Sequence, residues 1–495
     1  MQNTDNINSK SSNSLSKKVS NMTVTQLILM TTAAVMSLRG VPLMSQVELT
    51  MFIYMAFAAV FFLVPAALVS AELGTTFADK GGGVYTWVKE AYNKKVGFVA
   101  VFMQWIQNIV WYPITITFGS AAIFYIIGMP ELASNGKYIG GATIIIYWIS
   151  TWISLKVPTK IPKLSSVGFI WGTMVPLVIL IGLAIYWMID KNPIAYDAIP
   201  AAQTEIASTI NGITTPRFIP HLTSIGSIVF LSTIILLFSG IEALAVHANE
   251  LDKPKTQYPK AIFIASFLCF VVLGVGAYAV SVILPYDKIE LDSGVMDAFQ
   301  IGFARYDLSW LTNIMAVLVV IGCAASVIAW ISGPSKSLLY TAKDNELPKF
   351  MAVVDKNGIQ INIILLQGVI VTVLCSLYFF MENVNVAFFL LSSLNATLYL
   401  VMYVLMYLAG MKLRKSQPNL ERPFKVPGGK NGMFIFGGIG LLAVIFALIL
   451  CFIPPSALPI SSPTFYTIFL IVGTVIFVLI PIFISEYMKK FDVKK

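Results

Sequence analysis

The chain has 495 residues, of which 57% are hydrophobic and 12% charged, with a formal net charge of +9. Soluble domains carry about 25% charged residues, so a soluble enzyme or a nucleic-acid-binding domain is excluded. The positive charge therefore has to be judged by where it falls between apolar segments.

Residues 1–22 are rich in Asn and Ser, with Lys10, Lys17 and Lys18. They lack an apolar region with a cleavage site and read as a disordered cytoplasmic tail. Twelve apolar runs follow, at 23–45, 48–72, 97–127, 139–155, 166–189, 223–247, 259–284, 309–335, 361–381, 385–411, 433–453 and 464–487. Each is long enough to cross a bilayer, which predicts an all-α polytopic membrane protein. The first run is interrupted by Ser37-Leu38-Arg39-Gly40-Val41-Pro42 and the sixth by Phe238-Ser239-Gly240-Ile241-Glu242-Ala243. Broken backbone at membrane depth is tolerated only inside protein or along a watery cavity. A charge at that depth marks a functional site by default, and paired breaks in two halves of a chain point to a transporter's substrate site.

Between the second and third runs, Gly81-Gly82-Gly83 lacks the Gly-Lys-Ser/Thr of a phosphate loop and predicts a bend into an amphipathic helix. The third run carries Gln104, Gln107 and Asn108, which either line a cavity or bond neighbouring helices. Residues 191–222, with prolines at 193, 200, 216 and 220, read as an irregular external loop. The acidic stretch 286–308 reads as a solvated outer face. The segment 412–432 is a basic cytoplasmic loop able to meet anionic lipid headgroups, and 488–495 is a short cytoplasmic tail. With both termini inside, 27 of the 33 lysines and arginines are cytoplasmic, five are outside and Arg39 is in the membrane. That asymmetry sets the orientation.

No catalytic constellation is present, so the chain reads as no enzyme. Two histidines and four cysteines without metal spacing predict no metal and no cofactor. His247 is either a structural hydrogen-bonder or, with an unperturbed pKa near 6.5, a coupling switch. Arg39 and Glu242 admit two readings: a buried ion pair of architectural value, or separate roles. In the second, backbone N–H groups freed near Gly40 bind a carboxylate and carbonyls near Gly240 hold an ammonium. Arg39 then receives an acidic side chain and Glu242 couples or gates. Tyr399 and Tyr403, four residues apart, share one helical face; they and Trp330 are packing or site residues.

Four stretches carry a resemblance that extends over essentially the whole chain. They are Ser239-Gly240-Ile241-Glu242-Ala243 running on to Tyr258-Pro259, Gly82 to Val88, Trp330 to Ser335, and Arg422-Pro423-Phe424-Lys425-Val426-Pro427-Gly428-Gly429-Lys430. The chain resembles the amino acid–polyamine–organocation superfamily, and within it the bacterial glutamate/γ-aminobutyrate antiporters. The resemblance implies twelve helices in a 5+5 inverted repeat (23–190 and 223–411) with helices 1 and 6 broken, and two peripheral helices at 433–487. It implies that Gly40 and Val41 bind the substrate carboxylate and that Ser239 and Gly240 bind the amino group, with Glu242 behind. Trp330, Tyr399 and Tyr403 would line the pocket or gate. The chain departs from the similar antiporters in having Arg39-Gly40 where they carry a Tyr-Glu pair.

The function expected is amino-acid exchange by alternating access in the bacterial inner membrane. The partners expected are an amino-acid substrate, with protons as a candidate co-substrate, and membrane lipid, the protein being a monomer or homodimer. Proton-coupled uptake of an amino acid or polyamine is the rival mechanism. A non-transporting membrane nutrient sensor is the rival of another class.

Overall fold

A capping box starts the first helix: the Thr23 N–H donates to Gln26 Oε1 (2.8 Å) and the Gln26 N–H to Thr23 Oγ1 (3.2 Å). This helix, α1 (Val24–Val35), ends where Met36 turns extended with ψ 120°, and the chain resumes as α2 (Gly40–Ser45). The computed structural model describes residues 23–197, 207–210, 213–216, 225–242, 251–355, 359–381, 383–455 and 462–492. The tail 1–22 and His247 lie outside the described residues.

The next elements are α3 (Met51–Thr76), the short α4 (Val84–Ala91), α5 (Lys94–Ile126), α6 (Gly136–Lys156) and α7 (Lys163–Ile189). Then come the short α8 (Phe230–Leu237), α9 (Thr256–Ile283), the short α10 (Gly294–Ala304) and α11 (Trp310–Ala342). The last four are α12 (Ile361–Phe380), α13 (Val384–Ser416), α14 (Gly432–Cys451) and α15 (Pro463–Lys490). Among the described residues ten helices are long and apolar enough to cross a membrane. They match the predicted second to fifth and seventh to twelfth runs. The other two runs are the interrupted ones, where the described helical pieces are short.

Local chemistry fixes several helix starts. The side chains of Asn93, Asn135 and Asn383 accept hydrogen bonds from the N–H groups of Val96, Lys137 and Val386. Five-residue π turns at Ala59–Leu63 and Ile170–Met174 stand just before Pro65 and Pro176, where the helix lacks a donor. At 33 residues α5 is about 50 Å long, well beyond a bilayer core of about 30 Å. It is buried almost throughout, packed on α11 and α13, whereas α15 leaves most of its apolar surface uncovered. α9 lies along α1 and α2.

The glycine run at 81–83 takes positive φ at all three residues and turns the chain into α4, as predicted. α4 is tied to the end of α11 through Asp344, which accepts from Tyr85 Oη (2.6 Å) and Lys89, with Lys94 Nζ at 3.3 Å.

Three expectations are corrected. The loop 191–222 holds a short antiparallel hairpin, Ala207–Ile210 with Ile213–Pro216. The start of the basic segment 412–432 is helical, because α13 runs on to Ser416. There Arg414 and Arg422 close on Glu72, which is 2% exposed, at 2.5 and 3.1 Å. The Val426 N–H also donates to Glu72 Oε2 (2.8 Å), so two arginines of this segment are spent on a buried carboxylate rather than on headgroups.

The third correction concerns 286–308. Val295, Phe299 and Phe303, spaced four residues apart on α10, are buried and turn one of its faces inward, and Leu291 just before the helix is buried as well. Asp292 and Asp297 follow the backbone inward, whereas Glu290 and Asp307 stay exposed as expected. Asp297 accepts from Tyr125 and from Ser293 Oγ (2.8 Å), Asn385 donates to Glu290, and Gln46 at the end of α2 donates to the Ile289 carbonyl. Asp292 is 4% exposed and its Oδ2 has no hydrogen-bond partner. Burial, and then the neighbouring Glu290 carboxylate, push its carboxyl up to about 8.

A carboxyl whose pKa is raised in the seated segment, from 3.8 to about 8, favours seating fully below the lower value. That contribution is lost as pH climbs through the higher one. The thermal midpoint should therefore fall between pH 5 and pH 8. Asp292→Asn should flatten that fall and raise the midpoint at pH 8. An unchanged pH profile in Asp292→Asn would assign the dependence to other groups, with Glu290 and Asp297 first to examine.

Candidate functional site

The two interruptions meet. A Cβ added to Gly40 would lie 2.8 Å from a methyl carbon of Leu237 and would have to push that side chain aside, so α2 and α8 pack closely here. Gly240 has φ +106°, a conformation side chains resist, and its N–H donates to Tyr403 Oη (3.0 Å). Beside this crossing lies a small pocket.

Of the predicted site residues, Arg39, Gln107, Asn108, Ser239, Gly240, Trp330 and Tyr399 stand on the cavity wall. Gly40, Val41 and Tyr403 stand behind it. The Gly40 and Val41 N–H groups are engaged with the carbonyls of Ser37 (3.1 Å) and Leu38 (3.0 Å). The Val41 carbonyl accepts from Ser45 Oγ (2.8 Å). Among the described residues, the N–H groups of Ser37, Leu38 and Arg39 have no backbone acceptor. The break thus offers its N–H groups slightly earlier in the chain than predicted.

Arg39 and Glu242 form no ion pair; each has separate surroundings. Glu242 is 1% exposed and accepts from Tyr399 Oη (2.5 Å), from Tyr403 and from Gln104 Nε2 (3.4 Å). Both tyrosines are therefore bonded residues rather than simple packing. Arg39 is 7% exposed, with its guanidinium carbon 5.8 Å from the centroid of Trp111, a cation–π placement. Its Nε has no hydrogen-bond partner. A buried guanidinium donor without an acceptor is costly, and the cavity is where an acceptor can enter.

Gln107 and Asn108 are partly committed to one another. Asn108 Nδ2 donates to Gln107 Oε1 (3.1 Å) and to the Gln104 carbonyl (3.1 Å). The Ser239 hydroxyl donates to the Leu236 carbonyl (2.6 Å), which leaves its oxygen able to accept. Trp330 lies 6.1 Å from Trp111, and its carbonyl accepts from Tyr112 Oη (2.9 Å).

Sequence reasoning missed Trp111, Ser326 and Asn395, all on the cavity wall. Asn395 is fully buried, and neither its Oδ1 nor its Nδ2 has a partner. It sits four residues before Tyr399 and eight before Tyr403, on the same face of α13, a spacing that was available in the sequence. Among the described residues no group of His, Cys, Asp and Glu is arranged to hold a metal ion. The site presents one fixed cation, one uncommitted amide and free backbone donors, a set suited to binding a small zwitterion or anion.

Comparison with known proteins agrees with this chemistry. A family model described as amino acid permease matches residues 22–477. An uncharacterised transporter of Legionella pneumophila is 36% identical over 94% of this chain and 96% of its own length. A glutamate/γ-aminobutyrate antiporter of Lactococcus lactis is 30% identical over 93% of this chain and 89% of its own. A second Lactococcus lactis protein, provisionally named as an agmatine/putrescine antiporter, is 27% identical over 79% of each chain.

Proposed function

The chain belongs to the amino acid permease family, and from that premise we propose that it is a secondary active amino-acid transporter working by alternating access. It exchanges glutamate for γ-aminobutyrate, or a closely related pair, across a bacterial inner membrane. In this reading the chain crosses twelve times, as a 5+5 inverted repeat at 23–190 and 223–411 with two further helices. The lysine and arginine asymmetry supports placing both termini in the cytoplasm.

The observation that carries the reading is the uncommitted Arg39 guanidinium on the wall of a cavity between two interrupted helices. The substrate α-carboxylate takes the free N–H groups at Ser37, Leu38 and Arg39. Its ammonium takes backbone oxygens near Ser239 and Gly240, and an acidic side chain takes Arg39, with Trp111 and Trp330 as the apolar wall. Glu242, held by Tyr399 and Tyr403 directly behind Gly240, couples occupancy to movement of the second break. A permanently charged arginine opposes a polyamine dication in the same space, which favours the glutamate relative as the guide to substrate.

Counterflow tests the exchange. Proteoliposomes preloaded with γ-aminobutyrate should accumulate labelled glutamate, and empty ones should not. Uptake into empty vesicles under an imposed pH gradient would replace exchange by proton symport. Saturable binding with no flux under either condition would leave only the sensor reading.

A further inference from the structure

Asn395 is the one polar side chain on the cavity wall for which neither end of an amide is engaged. Of the other polar residues near it on α13, only the Ser392 hydroxyl also has no partner, and Ser392 is not on the cavity wall. Ser393 accepts from Tyr466 Oη (2.8 Å), Thr397 bonds Thr474 (2.9 Å), and Tyr399 is committed to Glu242. Ser393 and Thr397 lie four residues apart on the face towards α15, whereas Asn395 shares the face of Tyr399. An amide buried with two donors and a carbonyl oxygen unused is a net cost to the fold, and a leucine of similar size would carry none of it. The cost is recovered only when a polar group enters the cavity.

The chemistry of that group follows from the exchange proposed above, on which this inference rests. With the carboxylate end anchored at the first break, glutamate extends a second carboxylate into the cavity. γ-Aminobutyrate, anchored the same way, extends an ammonium. Arg39 satisfies the first and opposes the second. An amide can serve both, because it offers N–H donors on one side and an acceptor oxygen on the other, and its terminal torsion is broad and roughly two-fold. We propose that Asn395 is the specificity residue that lets one site hold both exchange partners. It donates through Nδ2 to the distal carboxylate and turns over to accept through Oδ1 from the distal ammonium.

Equilibrium binding of glutamate and of γ-aminobutyrate to purified full-length protein tests this, with the thermal midpoint measured alongside. Asn395→Leu removes donor and acceptor, and should weaken both ligands about tenfold or more, the worth of a hydrogen bond to a charged group. Asn395→Asp keeps only the acceptor. It should weaken glutamate at least as much and leave γ-aminobutyrate within about threefold. Because the native amide bonds nothing in the protein, the midpoint of Asn395→Leu should be no lower than that of the native chain.

Binding of either ligand unchanged in Asn395→Leu overturns the two-way reading, as do equal losses of both ligands in Asn395→Asp. An Asn395→Leu protein that melts lower or fails to fold also overturns it, by making the amide structural. If the native protein binds neither ligand, the exchange reading itself fails. Native binding that Asn395→Leu leaves intact fails this inference alone.

Discussion

Arg39→Gln is expected to weaken glutamate about ten- to hundred-fold while leaving glutamine within about twofold. A charge-assisted hydrogen bond in a partly desolvated site is worth about 1.5–3 kcal/mol, which sets that range. The selectivity follows from geometry: the guanidinium is on the cavity wall, its Nε is uncommitted, and Glu242 is occupied by two tyrosines and Gln104. Arg39→Lys should recover only part of the loss, since an ammonium keeps the charge and loses the planar fork. Trp111, 5.8 Å from the guanidinium carbon, keeps some attraction for either cation.

The same variant decides against an architectural role. If Arg39 balanced Glu242, removing one partner would strand the other and cost about 3–5 kcal/mol. The double variant with Glu242→Gln would then recover stability. With the two in separate hydrogen-bond sets, their effects on stability should instead add within about 0.5 kcal/mol. Binding of glutamate and glutamine, measured side by side with thermal midpoints, reads both quantities. Equal loss of the two ligands would remove Arg39 from side-chain selection.

Much of the fold was legible because membrane burial imposes length: ten apolar runs became ten continuous helices within a few residues of the expected bounds. The interruptions were legible because Gly40 and Gly240 sit beside charges in runs that otherwise contain few. Pairing was not legible. Arg39 and Glu242 are both buried, and nothing in their spacing says whether they face each other or separate partners. Which N–H groups a break leaves free was also hidden, because the turn at Ser37–Val41 consumes two donors that an opened helix was expected to release. The acidic segment 286–308 misled because charge content was weighed before periodicity. Val295, Phe299 and Phe303 mark a buried helical face despite the five acids in the segment. Asn395 was passed over although its spacing to Tyr399 and Tyr403 places it on their face.

Glu242→Gln is expected to slow exchange about five- to hundred-fold for every substrate, and to flatten the pH dependence of what remains. The carboxylate accepts hydroxyls from Tyr399 and Tyr403 on adjacent turns of α13, and Tyr403 in turn accepts the Gly240 N–H. This chain of bonds joins the second break to α13. A glutamine can accept from one tyrosine through its carbonyl but turns an NH₂ towards the other, so one buried hydroxyl loses its acceptor. Leaving such a group unsatisfied costs about 1–3 kcal/mol, which sets the size of the effect. The loss is common to all ligands because the bonds lie behind Gly240 and not on the substrate.

The pH effect has a separate cause. Protonating a carboxylate turns one of its acceptor oxygens into an O–H donor, so a cycle in which Glu242 gains and loses a proton weakens and restores a tyrosine bond at each turn. A glutamine cannot titrate. Exchange rates from pH 5 to 7.5 for native and Glu242→Gln proteoliposomes, with binding of glutamate and glutamine as control, separate this role from that of Arg39. An unchanged pH profile in the folded variant would take the proton away from Glu242. A loss confined to glutamate would make Glu242 part of the selectivity that is assigned here to Arg39.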